Sequence, residues 1–248
     1  MLTVTSAFAA SDMITVYDIP DAIRGTNYAN DPALSPLITR ASSAIMRYCG
    51  CVFAQQTYQE DVPGFGGTTL RLLRSPIASG VFAGLYPSGP ITTLTSIVKL
   101  DSENSTSSTT VTATEYVLQD PMAGLVFRSQ GWQWTAMITT QLDDYIAYGS
   151  ERPTYRATYT AGFTTPNVGT PALTTEGTLP YDLRQACLEA VTAWYFRTQR
   201  DPSVLSRRMG DVAVTYATAS DRTLRNGRPT MGLPSESLDL LDRWIRWD

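Results

Sequence analysis

The 248-residue sequence contains no histidine. That absence removes Ser-His and Cys-His nucleophiles, histidine-ligated zinc or haem, and histidine proton shuttles. Lysine is nearly missing too: Lys99 is the only one, and the other eighteen cations are arginines. Arginine's planar fork suits fixed pairing with carboxylates, so the bias points to organised contacts; a GC-rich coding sequence would produce the same bias. Charged residues make up 17% of the chain, against about 25% in an average protein. Their balance is acidic, 19 cations to 23 carboxylates, net −4. A chain that grips nucleic acid by counterion release carries the opposite sign over at least one face.

Cysteine is scarce and odd in number: Cys49, Cys51 and Cys187. Cys49-Gly50-Cys51 is too short for a CxxC redox pair, and three sulfurs without histidine fall short of a four-ligand zinc site. Reduced thiols, with no metal and no cofactor, are the expectation. No apolar run approaches the roughly 20 residues that cross a bilayer. Ala7-Phe8-Ala9 faintly resembles a signal-peptidase site, but no positive charge precedes Arg24. The expectation is a soluble protein made in the cytoplasm, with no membrane partner.

What is present is a chain that reads helix, β-rich middle, helix. Asp31-Pro32 offers a cap and a first-turn proline, and Leu34, Leu37, Ile38, Ala41, Ala44, Ile45 and Tyr48 follow at helical spacing until Gly50. A shorter helix is expected over 18–24. From Thr57 the period changes. Val62-Pro63-Gly64-Phe65-Gly66-Gly67 is turn chemistry between 57–61 and 69–73, which suggests a hairpin with a glycine-rich tip. Residues 91–100 read as a strand, 102–110 as low-complexity loop, and 115–119 with 125–128 as a second hairpin. Tyr155, Ala157 and Tyr159 alternate with Arg156 and Thr158 in a strand ending at Gly162. Helical period returns after Pro180 with Leu183, Ala186, Cys187, Ala190, Val191 and Trp194, and a last helix runs from Ser235 to the C-terminus.

The fold class expected is α+β: an antiparallel helical bundle formed by the N- and C-terminal helices, with a β-rich hairpin and sheet insertion in the middle. The boundaries are 1–56 for the first helical part, 57–163 for the insertion, and 164–248 for the second helical part with an Arg-rich loop and a docking tail.

Asp143-Asp144 reads as a solvated acidic turn, since adjacent residues diverge on either a strand or a helix. The Gly64–Gly67 cluster lacks the Lys-Ser/Thr of a phosphate loop. Trp132 and Trp134 share one face in alternating structure and suit a core or interface better than a sugar platform. A glycosidase would need two converging acids, such as Asp143 with Glu115 or Asp120. One electrostatic feature stands out: seven arginines and three acids lie between Arg197 and Arg228, whereas the first 180 residues hold nine cations and fourteen acids. Such a segment suits pairing with the acidic body of a neighbouring subunit, with Arg207, Arg208 and Asp211 at the boundary. At the C-terminal end Arg243, Trp244, Arg246 and Trp247 combine the residue types that dominate interface hot spots, so this end is a candidate docking element.

The stretch from Leu37 to Gly50, LITRASSAIMRYCG, resembles the first long helix of the head–tail connector (adaptor, head completion) proteins of long-tailed double-stranded DNA phages. The match continues through Leu70-Arg71-Leu72-Leu73-Arg74-Ser75-Pro76-Ile77, Tyr159-Thr160-Ala161-Gly162-Phe163 and 179–186. Arg208-Met209-Gly210-Asp211, followed by Tyr216, is similar to the family's R-x-G-D-x-x-x-x-Y stretch, and Leu233-Pro234 precedes the closing helix as it does there. The similarity is collinear over about two-thirds of the chain; 101–153 fall outside it. The resemblance implies a non-enzymatic virion part. It would assemble as a ring, commonly a dodecamer, beneath the portal protein, extend the DNA channel, and dock tail-completion or stopper proteins. Genomic DNA would pass the lumen without sequence-specific binding. The competing expectation is a tail-associated carbohydrate-binding module or glycosidase.

Overall fold

Alternation along Gln56–Val62 is strict: Gln56, Tyr58, Glu60 and Val62 are buried while the residues between them are half-buried. The same alternation buries Tyr155, Ala157, Tyr159 and Ala161. These strands lie side by side in an antiparallel sheet, with Tyr58 opposite Tyr159 and Glu60 opposite Ala157. The structure is a computed structural model describing residues 2–6, 12–19, 34–73, 76–78, 83–100, 108–133, 155–165, 178–198, 206–209, 212–215, 224–225 and 227–246. The chain divides into two units: Met1–Phe8 with Gln55–Phe163, and Ala9–Ala54 with Thr164–Asp248.

The first unit is β-rich. Among the described residues its strands of three or more residues are β1 (Leu2–Ser6), β2 (Gln56–Val62), β3 (Thr69–Arg71), β4 (Ile91–Leu100), β5 (Ser108–Thr110), β6 (Tyr116–Asp120), β7 (Leu125–Arg128) and β8 (Tyr155–Ala161). One antiparallel sheet has the order β1-β2-β8-β4-β5, and a second has β3-β7-β6. The expected hairpin of 57–61 with 69–73 does not form. β2 is flanked on both edges, by β1 and β8, while β3 joins the other sheet beside β7. Local turn chemistry predicted the bend; long-range partners decided the pairing. The glycines serve a different constraint: a Cβ on Gly64 would lie 1.8 Å from the Gln133 carbonyl oxygen. The β6–β7 hairpin forms as expected, its turn held by Asp120 Oδ1, which accepts from the Met122 and Ala123 amides at 2.9 and 3.0 Å. Residues 108–110 are a strand, not loop, and β1 draws residues 2–6 away from the expected helical part.

The second unit carries α1 (Leu34–Cys49), α2 (Tyr181–Thr198) and α3 (Ser235–Leu241). It also holds two small antiparallel ribbons, β9 (Ser206–Met209) with β10 (Val212–Thr215), and β11 (Leu224–Arg225) with β12 (Arg228–Pro229). α1 buries the apolar stripe its spacing predicted, and Gly50 ends it at φ +74°. α2 buries Leu183, Ala186, Cys187, Ala190, Val191 and Trp194. Trp194 Nε1 donates to the Gly232 carbonyl at 2.9 Å, and buried Ser237 donates to that of Ala186 at 2.9 Å. The fold is mixed helix and sheet, and the three α-helices among the described residues do not show the expected antiparallel bundle. A single 3-10 turn covers Val16–Asp18 and Ile19 is extended; residues 20–24 of the short helix expected over 18–24 lie outside the described residues.

Candidate functional site

The chain's last turn differs from the sequence expectation. α3 stops at Leu241, a single 3-10 turn covers Asp242–Trp244, and Ile245 is extended. A continuous helix would have put Trp244 and Trp247 on one side. Trp244 instead sets its ring edge-to-face on Phe53, with centroids 5.9 Å apart. Arg243 pairs with Asp182 at 2.9 Å and remains largely exposed, and the Arg246 amide donates to the Cys49 carbonyl at 3.1 Å. Trp247 lies outside the described residues.

This terminus completes a polar node at the end of α1. The last carbonyls of a helix have no partner within it. Here the Arg228 guanidinium donates to the Tyr48 carbonyl at 3.3 Å and also to that of Arg246. A cation at that end also meets the negative pole of the helix dipole. Tyr48 donates its hydroxyl to Asp242 Oδ1 at 2.9 Å, and Arg225 pairs with both Asp242, at 2.7 Å, and Asp239. Burial, then the Asp242 hydrogen bond and charge, pushes the Tyr48 phenol up to about 12. The Asp239 hydrogen bond raises the Arg225 guanidinium further. The turn after Arg225 and the charges around it were visible in sequence; their convergence on α1 was not, because the segments are about 180 residues apart.

Arg207 and Arg208 lie on β9, in register with Val214 and Ala213. Asp211 lies outside the described residues, as do Asp143, Asp144 and Trp134. The acids named for a glycosidase have structural partners: Glu115 pairs with Arg128, and Asp120 holds its own turn. Trp132 is sealed in the β unit, donating to the Thr68 carbonyl at 3.1 Å and packing edge-on to Tyr155. Among the described residues, no group of three or more Cys, Asp or Glu side chains is placed to hold a metal. No described helix is long and apolar enough to cross a membrane. All three thiols are buried and unbridged. Burial pushes Cys187 up to about 12, and burial with Cys51 nearby raises Cys49.

The sequence missed one further group. Glu60 is fully buried in the β unit, where its carboxylate accepts from the Tyr159 hydroxyl at 2.7 Å and the Leu73 amide at 2.9 Å. Leu73 sits at φ +64°, a left-handed conformation that leucine rarely adopts. The acid thus holds a strained turn beneath the sheet.

No family profile matches the chain, and no curated protein does. Solved structures do. The chain is similar over its whole length to a chain in the neck of an empty gene transfer agent (GTA) particle, computed with C6 symmetry; the TM-score is 0.51 and identity 18%, covering 96% of that chain. A chain in the virion of a native GTA particle matches with TM-score 0.50, 18% identity and the same coverage. The fold is therefore shared, end to end, with chains of these phage-like particles.

Proposed function

We propose that this chain is a neck protein of a phage-like virion, a head–tail connector that forms a ring under the portal, extends the DNA channel and offers the tail its docking surface. The observation that carries this reading is the end-to-end fold match to a chain in a GTA neck. The collinear residues of α1, β8 and α2 that resemble the connector family support it independently.

Within that reading the chain performs no chemistry; its work is assembly. Neighbouring copies, commonly a dodecamer, meet through Arg207, Arg208 and Asp211 against an acidic neighbour. The end carrying Arg243, Trp244, Arg246 and Trp247 faces the portal, and the opposite rim receives tail-completion or stopper proteins. A mildly acidic lumen lets genomic DNA slide without adhering. Because Trp244 also packs on Phe53, the docking role is best probed at Arg243 and Trp247. The test adds the purified chain to DNA-filled, portal-bearing capsids that lack neck proteins. Binding in many copies with improved DNA retention is the expected result. Capsids that neither bind the chain nor retain DNA better would overturn the reading.

A further inference from the structure

The only charged residues on α1 are Arg40 and Arg47; the helix holds no acid. Seven positions apart, they stand about 20° from one another around the helix and about 10.5 Å apart along it. Pro36 and Ser43 fall in the same stripe, roughly 60° wide, opposite the buried side of the helix. Pro36, Arg40 and Arg47 are exposed and Ser43 is half-buried. The outer side of α1 is therefore cationic in a chain whose net charge is −4.

A third cation continues the row onto α2. The Arg40 guanidinium lies over the Trp194 ring, its Cζ 4.7 Å from the ring centroid. That contact uses the face of the guanidinium and none of its N–H donors, and it fixes where the fork stands. Arg197, exposed, follows Trp194 by three positions, so it is a neighbour on the same side of α2. Among the described residues no ion pair involves Arg40, Arg47 or Arg197, whereas Arg184, Arg225 and Arg243 of the same unit are each paired with a carboxylate. Asp12 is the acid beside the row, and it accepts at 3.2 Å from Thr39, which lies 100° round the helix from Arg40.

The chemistry of the row selects its partner. The centre of a protein–protein interface is apolar and depleted in charge, and this stripe of α1 offers Pro36 as its one apolar side chain. Arginine forks with hydroxyls between them are instead the groups that take phosphate oxygens of a nucleic acid backbone, fixing its position without reading its sequence. We propose that Arg40, Arg47 and Arg197, with the Ser43 hydroxyl, contact the phosphates of double-stranded DNA passing through the neck. Three arginines per copy on an otherwise acidic chain make a weak, salt-sensitive contact, and repetition around a ring multiplies it. The row brakes DNA at a few points while the remaining surface repels it. This rests on the neck reading and names the side chains that hold the genome there.

The experiment has two arms, both with the full chain. The first adds it to DNA-filled, portal-bearing capsids and measures copies bound and DNA retained. The second measures binding of the free chain to a random-sequence double-stranded DNA fragment over a range of salt. The variant is Arg47→Glu with Arg197→Glu, exposed positions whose replacement should leave the melting temperature unchanged. It should bind capsids in the same number as the wild type yet lose the gain in DNA retention. In free solution its affinity for the fragment should fall at least tenfold at low salt, and its slope of log affinity against log salt should flatten by about two. A variant that binds capsids and retains DNA as the wild type does overturns the row and leaves the neck reading standing. A folded variant that no longer binds capsids overturns the DNA assignment in favour of an acidic protein face. Capsids that take up no wild-type chain, with row-dependent binding of the free chain to the fragment, overturn the neck reading and keep the row as a DNA contact. A wild-type chain that binds neither capsids nor the fragment overturns both.

Discussion

Glu60 in the β unit and Glu189 on α2 are two acids in opposite positions. Glu60 is fully buried, yet Tyr159 and Leu73 both donate to it, and Ala157 across the sheet contributes only a methyl beside it. Glu189 is half-exposed, yet its Oε2 is shielded from water and meets no donor among the described residues. Burial alone therefore does not distinguish a finished site from an unfinished one; the donor inventory does. Glu60 is closed internally, although in the same β unit Gln56 Oε1, the Tyr58 hydroxyl and Arg128 Nε are shielded from water with no partner among the described residues. On α2, Glu189 Oε2 is left without a donor among the described residues, and Tyr181 and Phe196 stand in water.

Substitutions should separate the two. The largest effect is expected at Glu60: Glu60→Ala strands the Tyr159 hydroxyl and the Leu73 amide without an acceptor and should cost about 3 kcal/mol in urea unfolding. Arg228→Ala exposes the end of α1 and should cost about 1–2 kcal/mol by the same measurement, since it removes a charged donor from a helix C-terminus. A third test uses pH. The folded Cys187 thiol stays protonated to about 12, whereas its ordinary value is 9.0. Its burial contributes stability that is complete below about pH 9 and is lost as pH rises toward 12, at up to about 1.4 kcal/mol per unit. The stability difference between wild type and Cys187→Ala should shrink along that slope, and a difference constant from pH 8 to 11 would contradict it. The smallest effect is expected at Glu189: Glu189→Gln should change unfolding free energy by less than about 0.5 kcal/mol. A large loss of stability there would make Glu189 a structural acid like Glu60 and erase the contrast.

The elements that were legible in sequence are those whose signal is local. α1 and α2 announce themselves by apolar spacing and by Gly50 and Pro180 at their ends. β8 and the β6–β7 hairpin follow from alternation and from the Asp120–Gly124 turn. What depends on distant partners was not legible. β2 takes β1 and β8, about 55 and 100 residues away, in place of the segment after its turn. Leu238, Leu241 and Ile245 keep helical spacing and so predict a longer C-terminal helix, but the chain leaves the helix at Leu241 to bring Trp244 onto Phe53 and the Arg246 amide to Cys49. Of the candidate surface residues, composition singled out the arginine-rich segment. It did not reveal which arginines are spent internally, a distinction visible only in Arg225 and Arg228.

The most direct test of the account is the mass of isolated portal before and after addition of the full chain. The account predicts a single step in mass equal to a closed ring of 27.2 kDa copies, commonly a dodecamer, with no partial occupancy persisting at saturation. A portal that gains nothing, or gains isolated copies in proportion to concentration without a ring, would contradict it.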